Sequence, residues 1–187
     1  LGFQAREELP LVTLAGPYLD ELSALTGDTI HLAIREGDEV LYLHKNPGRN
    51  GPEMRSRVGH RMPLARTGIG KALMLDDTQE EWQRLYEVSL PAGGKNQFWP
   101  QHPEQSWEQF QQRMLEYVAG GYAFDLEDNE PSIRCVAAPI RDASKRIVAG
   151  ISIASTVPYM PLDKMAELIP LIKGVTARLS AELGLKV

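Results

Sequence analysis

The chain has 187 residues, 43% of them hydrophobic and 24% charged, which is enough for one well-cored globular domain. A net charge of −5 argues against this piece gripping a phosphate backbone by itself, so any DNA-reading module would lie elsewhere. One cysteine excludes an internal disulfide framework and four-cysteine zinc sites and fits a reducing cytoplasm; no apolar run approaches the roughly 20 residues of a membrane span. The start LGFQAREELP has neither an initiator Met nor the apolar stretch of a signal peptide, and reads as the cut end of a fragment.

Residues 1–9 read as a helix continuing from upstream, and Pro10 as the start of a second one carrying Leu11, Leu14, Tyr18, Leu22 and Leu25 at helical spacing up to Gly27. TIHLAIREG and DEVLYLHKN are strands about a turn at Glu36-Gly37-Asp38. PGRNGPE is a loop, and MRSRVG (54–59) a short strand. Thr67 is an N-cap candidate for a helix opening Gly68-Ile69-Gly70-Lys71, whose free N–H groups suit an anion, or whose glycines simply allow close packing. Thr78 caps a second helix, and 91–102 is a Pro/Gly-rich excursion. The helix from Pro103 to about Ala119 buries Trp107, Phe110, Met114 and Tyr117, a core stripe rather than a base-stacking platform. Pro158 and Pro161 introduce a last helix, striped by Met165, Leu168, Ile169, Ile172, Val175, Leu179 and Leu183, kinked or restarted at Pro170 and stopped at Gly184.

The stretch Gly120–Ser155 is the most informative. A double glycine breaks the helix, YAFDLED alternates, and IRCVAAPI and IVAGISIA form a hairpin across DASK. A tight turn centred on Ala143 and Ser144 sets Arg141 opposite Arg146 and so predicts Cys135 opposite Ser152, Ile133 opposite Ala154, and Ala137 opposite Gly150, these last six on one face. The other face holds Val136, Ala138, Ile140, Ile147, Ala149, Ile151 and Ile153, with Arg134 its one charge. A face floored with Cys, Ser, Ala and Gly either leaves a hollow for a ligand or lets a helix pack closely. The whole pattern, α-β-β-β-α-α-α-β-β-β-α, gives an α+β fold with a mostly antiparallel six-stranded sheet and helices on it.

Three segments carry a resemblance. G-Y-x-x-D-x-E-D-N-E-x-x-x-R-C-V-A-A-P-I followed by A-G-I-S-I-A-S, the patch Met62-Pro-Leu-Ala-Arg-Thr-Gly-Ile-Gly-Lys-Ala-Leu73, and the strand pair Thr29–Ala33 with Tyr42–Lys45 together resemble the C-terminal effector-binding domain of the IclR family of bacterial transcriptional regulators. The resemblance implies a GAF/profilin-like sensor fold over residues 10–187, with 1–9 ending the linker helix from a missing winged helix-turn-helix. It implies a small carboxylate metabolite as ligand, a homodimer or homotetramer, DNA contact only through the missing domain, and no membrane, metal or cofactor. By position, it implies a pocket of Gly68 and Ile69 as backbone donors with Asp125, Cys135 and Ser152, and Met54, Met62 and Ile133 as apolar wall. Arg66 and His31 are candidates to balance charge, whereas Lys45 and Arg134 read as solvated or ion-paired. Two departures stand out: Ala154 where many relatives have serine, and Glu130-Pro131-Ser132 where they have a glycine before x-R-C.

An aspartate facing an anionic ligand must be protonated or accept hydrogen bonds from ligand hydroxyls, which favours a hydroxylated, sugar-acid-like effector. The TIHL and LHK words resemble relatives that answer to sugar acids. Three other readings remain: an enzyme with Cys135 as nucleophile and a histidine base, a zinc site from His31, Asp125 and Cys135, and a pure oligomerisation module.

Overall fold

In the computed structural model, residues 2–91 and 105–184 are described, with backbone alone for 2–9. The elements are α1 (Gly2–Thr26), β1 (Thr29–Glu36), β2 (Glu39–Asn46), β3 (Arg61–Pro63), α2 (Gly68–Leu73), α3 (Gln79–Ser89), α4 (Trp107–Gly120), β4 (Ala123–Leu126), β5 (Ile133–Arg141), β6 (Ile147–Thr156) and α5 (Leu162–Gly184). The strands form one sheet in the order β3-β2-β1-β6-β5-β4, antiparallel throughout. The fold is the α+β architecture with a six-stranded antiparallel sheet that the sequence pattern predicts. Pro103 and most of the 91–102 excursion lie outside the described residues.

Local chemistry sets the boundaries. Thr67, Thr78 and Ser106 accept hydrogen bonds from Gly70, Glu81 and Gln109 amides at the starts of α2, α3 and α4, and Ser106 with Gln109 forms a full capping box. Gly121 ends α4 in the left-handed conformation at φ 70°. Both sheet faces are covered. One packs Val136, Ala138, Ile140, Ala149, Ile151 and Ile153 against the stripes of α1 and α5; the other takes α2, α3 and α4, with Ile69, Leu85, Phe110 and Met114 buried. Of the α5 stripe, Met165, Leu168, Ile172, Val175 and Leu179 are buried, at about 1.5–3 kcal/mol for each large apolar side chain.

Four expectations need correction. Pro10 lies inside α1, which runs unbroken from Gly2 through Pro10 and Pro17; packing of Leu11, Ala15, Leu19 and Leu22 on the sheet outweighs the backbone hydrogen bond that each proline forfeits. Pro170 likewise sits within one continuous α5, so the helix does not restart there. Segment 54–59 is loop, and the short strand is Arg61–Pro63, which pairs with Glu39–Leu41. The hairpin register is shifted by two: Cys135 faces Ala154, Ala137 faces Ser152, Pro139 faces Gly150 and Ile133 faces Thr156.

The cause of the register shift is visible at the turn. The Asp142 carboxylate accepts from the amides of Ser144 (2.8 Å) and Arg146 (3.0 Å), Lys145 turns at φ 63°, and Arg141 pairs with Ile147. A bulge then skips Val148, so Ile140 faces Ala149. Turn and bulge each slip the register by one residue, and two slips restore the face. Only Ile147, between them, changes sides and packs with the α2–α4 cluster.

Ser132, in the loop before β5, adopts φ 63°, a left-handed conformation costly for a residue with a Cβ. Ser132→Gly is therefore expected to raise Tm by a few degrees, equivalent to about 1 kcal/mol, in a thermal melt. Gly70→Ala should lower it markedly, because a Cβ there would overlap the Leu64 carbonyl. A melt ranking the two in the reverse order would contradict this backbone reading.

Candidate functional site

The site grows out of strand pairing. Asp125 on β4 lies directly opposite Cys135 on β5, Cys135 opposite Ala154 on β6, and Ala154 opposite Thr29 on β1. One step along, Ala137, Ser152, His31 and Lys45 form the next row across β5, β6, β1 and β2. Directly opposed residues share a face, so Asp125, Cys135, Ser152 and His31 all project from the side that faces α2. The small side chains of this floor leave a cavity of about 120 Å³ under the loop that carries Met54, Arg55 and Ser56. This side of the sheet is thus used both ways: Gly150 lets Ile69 approach closely, and the cavity opens beside that contact.

Eight residues singled out from sequence line this cavity: His31, Met54, Met62, Ile69, Asp125, Ile133, Cys135 and Ser152. Two do not. Gly68 packs its backbone against the Cys135 thiol and Asp125, with no room for a Cβ, and its amide is directed at that sulfur. Arg66 points into a separate small hollow with Tyr86, Ser89 and Asp128, where it donates to the Ser89 carbonyl at 3.4 Å. Sequence reasoning passed over Tyr42, Ser56 and Thr67 as lining residues, whereas Ala154 lies on the cavity floor as the small-residue face predicts. Tyr42 alternates with Val40 on one face of β2 and was legible from that period; Ser56 comes from a loop without periodicity.

The first turn of α2 spends most of its donors internally. Gly70 N–H donates to Thr67 Oγ1 (2.9 Å) and Lys71 N–H to the Thr67 carbonyl (3.0 Å), which leaves Ile69 N–H not engaged by these partners. His31 is a strut: Nε2 bonds to Ser56 Oγ at 2.7 Å and Nδ1 reaches Ser152 Oγ at 3.4 Å, with its ring 4.8 Å from that of Tyr42. Burial, then the nearby Lys45 ammonium, lowers its pKa to about 3, so the imidazole is neutral. Lys45 itself is neither solvated nor simply ion-paired: its Nζ donates to the carbonyls of Met54 (2.7 Å) and Ser56 (2.8 Å). Arg134 is ion-paired as expected, to Glu127 at 3.3 Å.

Behind the cavity lies a buried charge network. Lys71, 1% exposed, donates to Asp128 and to the Phe124 carbonyl (3.1 Å), and Asp128 N–H donates to Asp125 Oδ1 at 2.8 Å. Burial alone would lower the Lys71 pKa, but the Asp128 and Asp125 carboxylates hold it above its ordinary value. Asp128, buried beside Lys71 and 3.3 Å from Arg113, is held below the usual range despite its desolvation. Asp125 has no direct cation; burial and then the Asp128 charge push it up to about 7. Burial and then Asp125 push the Cys135 thiol up to about 12, so it is protonated and a poor nucleophile. Among the described residues no cluster of His, Cys, Asp or Glu has metal-binding geometry, and no helix is long and apolar enough to cross a membrane.

An antiparallel sheet with helices on both faces and a cavity of small-molecule size over its small-residue floor has the form of a ligand-sensing domain. Residues 3–181 match the model of the bacterial transcriptional regulator IclR C-terminal family, and the chain belongs to that family as an effector-binding domain. It is similar to the HTH-type transcriptional regulator KdgR of Escherichia coli K12, 29% identical over 98% of this chain and 68% of the relative. It resembles the HTH-type transcriptional repressor AllR of the same organism, 30% identical over 94% of this chain and 63% of the relative. The chain thus spans about two thirds of the length of the curated relatives it matches. The crystal structure of the C-terminal domain of E. coli KdgR superposes with a TM-score of 0.73 at 28% identity, covering 93% of this chain and 98% of that one. These relatives are regulators, and the chain is a regulator's domain rather than an enzyme.

The Asp125 shift fixes a pH signature. Its native pKa of about 7 lies above the 3.8 of an exposed carboxyl, so between those values the folded chain holds a proton that the unfolded chain releases. Asp125 therefore contributes a loss of stability as pH rises from about 4 to 7, opposite in sign to Asp128. Asp125→Asn should remove that decline from denaturant-measured stability; an unchanged slope across the window would show that another group titrates there.

Proposed function

We propose that the cavity seats a small hydroxylated organic acid, a sugar acid or a ketodeoxy relative, and that its arrival is passed to an N-terminal winged helix-turn-helix of the full-length cytoplasmic regulator. The observation that supports this most is the convergence of Asp125, Cys135 and Ser152 from three adjacent strands onto one cavity closed by Ile69. A protonated Asp125 donates one hydrogen bond and accepts others, which matches a hydroxyl. Ser152 and the Tyr42 phenol, held protonated by burial, extend that polar side. Ile69 N–H is the donor at hand for a carboxylate, while Met54, Met62, Ile133 and Ala154 enclose the carbon chain. KdgR and AllR, at similar identity, bear different names, so the acid follows from these contacts and not from either relative.

Signalling would run through association. The domain is proposed to pair as a dimer or tetramer, with ligand-dependent subunit arrangement altering the spacing of the DNA-reading domains. DNA contact belongs to those domains, since this acidic piece offers a phosphate backbone little.

Isothermal titration of the domain with sugar acids, ketodeoxy sugar acids, short oxo-acids and 4-hydroxybenzoate tests the reading. A hydroxylated aliphatic acid should bind best, and Asp125→Asn or Ser152→Ala should weaken it by about tenfold, the worth of one buried hydrogen bond. Affinity should also fall above about pH 7, because a bound carboxylate requires Asp125 to keep its proton. Binding confined to the aromatic acid would reject the proposal.

A further inference from the structure

The loop over the cavity has the parts of a latched flap. Gly51 at φ 71° and Gly59 at φ 85° bracket it with backbone conformations that glycine adopts freely. Its two ends are fixed: Gly51 packs on the Tyr159 ring, where an added Cβ would come within 2.8 Å, and Gly59 N–H donates to the Tyr42 carbonyl at 2.8 Å. Between them, residues 52–58 are exposed except for the half-buried Met54 and Ser56, which face inward. The polar ties from this stretch to the sheet, among the described residues, run to two side chains. Lys45 Nζ holds the Met54 and Ser56 carbonyls and lies 3.8 Å from Glu53, and His31 Nε2 holds Ser56 Oγ. Those two residues are direct partners across β1 and β2.

Met54, Arg55 and Ser56 also form the wall of a second cavity on the outer side, about 470 Å³ and open to solvent. Its lining includes Lys45, Arg55 and Arg57, against one acid, Glu53. A single layer of chain therefore separates an inner polar cavity from an outer basic one. A basic recess raises the local concentration of anions at the point where the flap must open.

We propose that residues 52–58 are the gate of the inner cavity, that Lys45 is its latch, and that an anionic ligand gathers in the basic outer recess before the gate swings on Gly51 and Gly59. Lys45 acts through the gate and is a positioning residue for the ligand. That biological meaning rests on the inner cavity being the effector seat, but the gate can be tested without any effector.

Cys135, the chain's single cysteine, lines the inner cavity and reports its access. The probe is alkylation of this thiol at pH 8.5 by iodoacetamide, followed by mass spectrometry, on the native domain and on Lys45→Met. Removing the latch should accelerate labelling by about tenfold, the worth of a charged hydrogen bond. The thiol itself should be unchanged, because the cation acting on Cys135 is Lys71 and not Lys45. An equal rate in the two proteins, with Lys45→Met still folded by circular dichroism, overturns the gate.

The unmutated domain gives a second readout. Labelling through a local gate exposes little surface, so its rate should not respond to urea below the unfolding transition. A rate that climbs with urea at the slope of global unfolding means that Cys135 is reached only by unfolding, and the gate is again overturned. If the gate passes both tests but no organic acid binds, the effector reading fails and the gate stands; if an acid binds and labelling is unaffected, the reverse holds.

Discussion

The ammonium of Lys71 is the constraint on which the site depends. It is buried at the base of α2 and satisfied by the Asp128 carboxylate and the Phe124 carbonyl, so one charge ties a helix, a strand end and the acidic loop together. Taking a lysine out of water costs several kcal/mol, and such a pair adds little net stability but is very costly to break from one side. Its value here is placement. With Asp128 committed to Lys71 and donating its amide to Asp125, the Asp125 carboxyl is fixed at the cavity's end without a counter-charge of its own. That arrangement leaves Asp128 ionised while Asp125 passes from protonated to ionised around neutral pH.

The rest of the cavity follows from side-chain size. Ala137, Gly150 and Ala154 keep the floor low, Gly68 brings the start of α2 against Cys135 and Asp125, Gly70 lets the helix pass the Leu64 carbonyl, and the hollow survives beside Cys135 and Ser152 under the loop of Met54 and Ser56. Close packing and ligand space are therefore not competing accounts of this sheet face; each uses a different part of it.

Much of this was legible in the chain because strand parity is robust. Cys135 and Ser152 were expected to face one another directly and do not, yet they share a face, since turn and bulge slip the register by one residue each. Asp125 and Cys135 sit opposite one another, a pairing their ten-residue spacing alone does not dictate. What stayed hidden depends on contacts between distant segments. Arg66 is a charge-balancing candidate from the sequence, but the fold turns it toward Ser89. The sequence leaves Lys45 solvated or ion-paired, and the fold of 53–58 over it shows what it grips. Segment 54–59 was legible as a strand only at its end: Gly59 N–H reaches the Tyr42 carbonyl, but ladder pairing begins at Arg61.

The buried Lys71–Asp128 pair acts as one unit that shapes the cavity. A double-mutant cycle with Lys71→Met and Asp128→Asn, read as unfolding free energy in urea, addresses it most directly. Each single substitution should cost about 3–5 kcal/mol, and the double should cost clearly less than their sum, because neither buried charge is then left alone. Additive losses would contradict the claim.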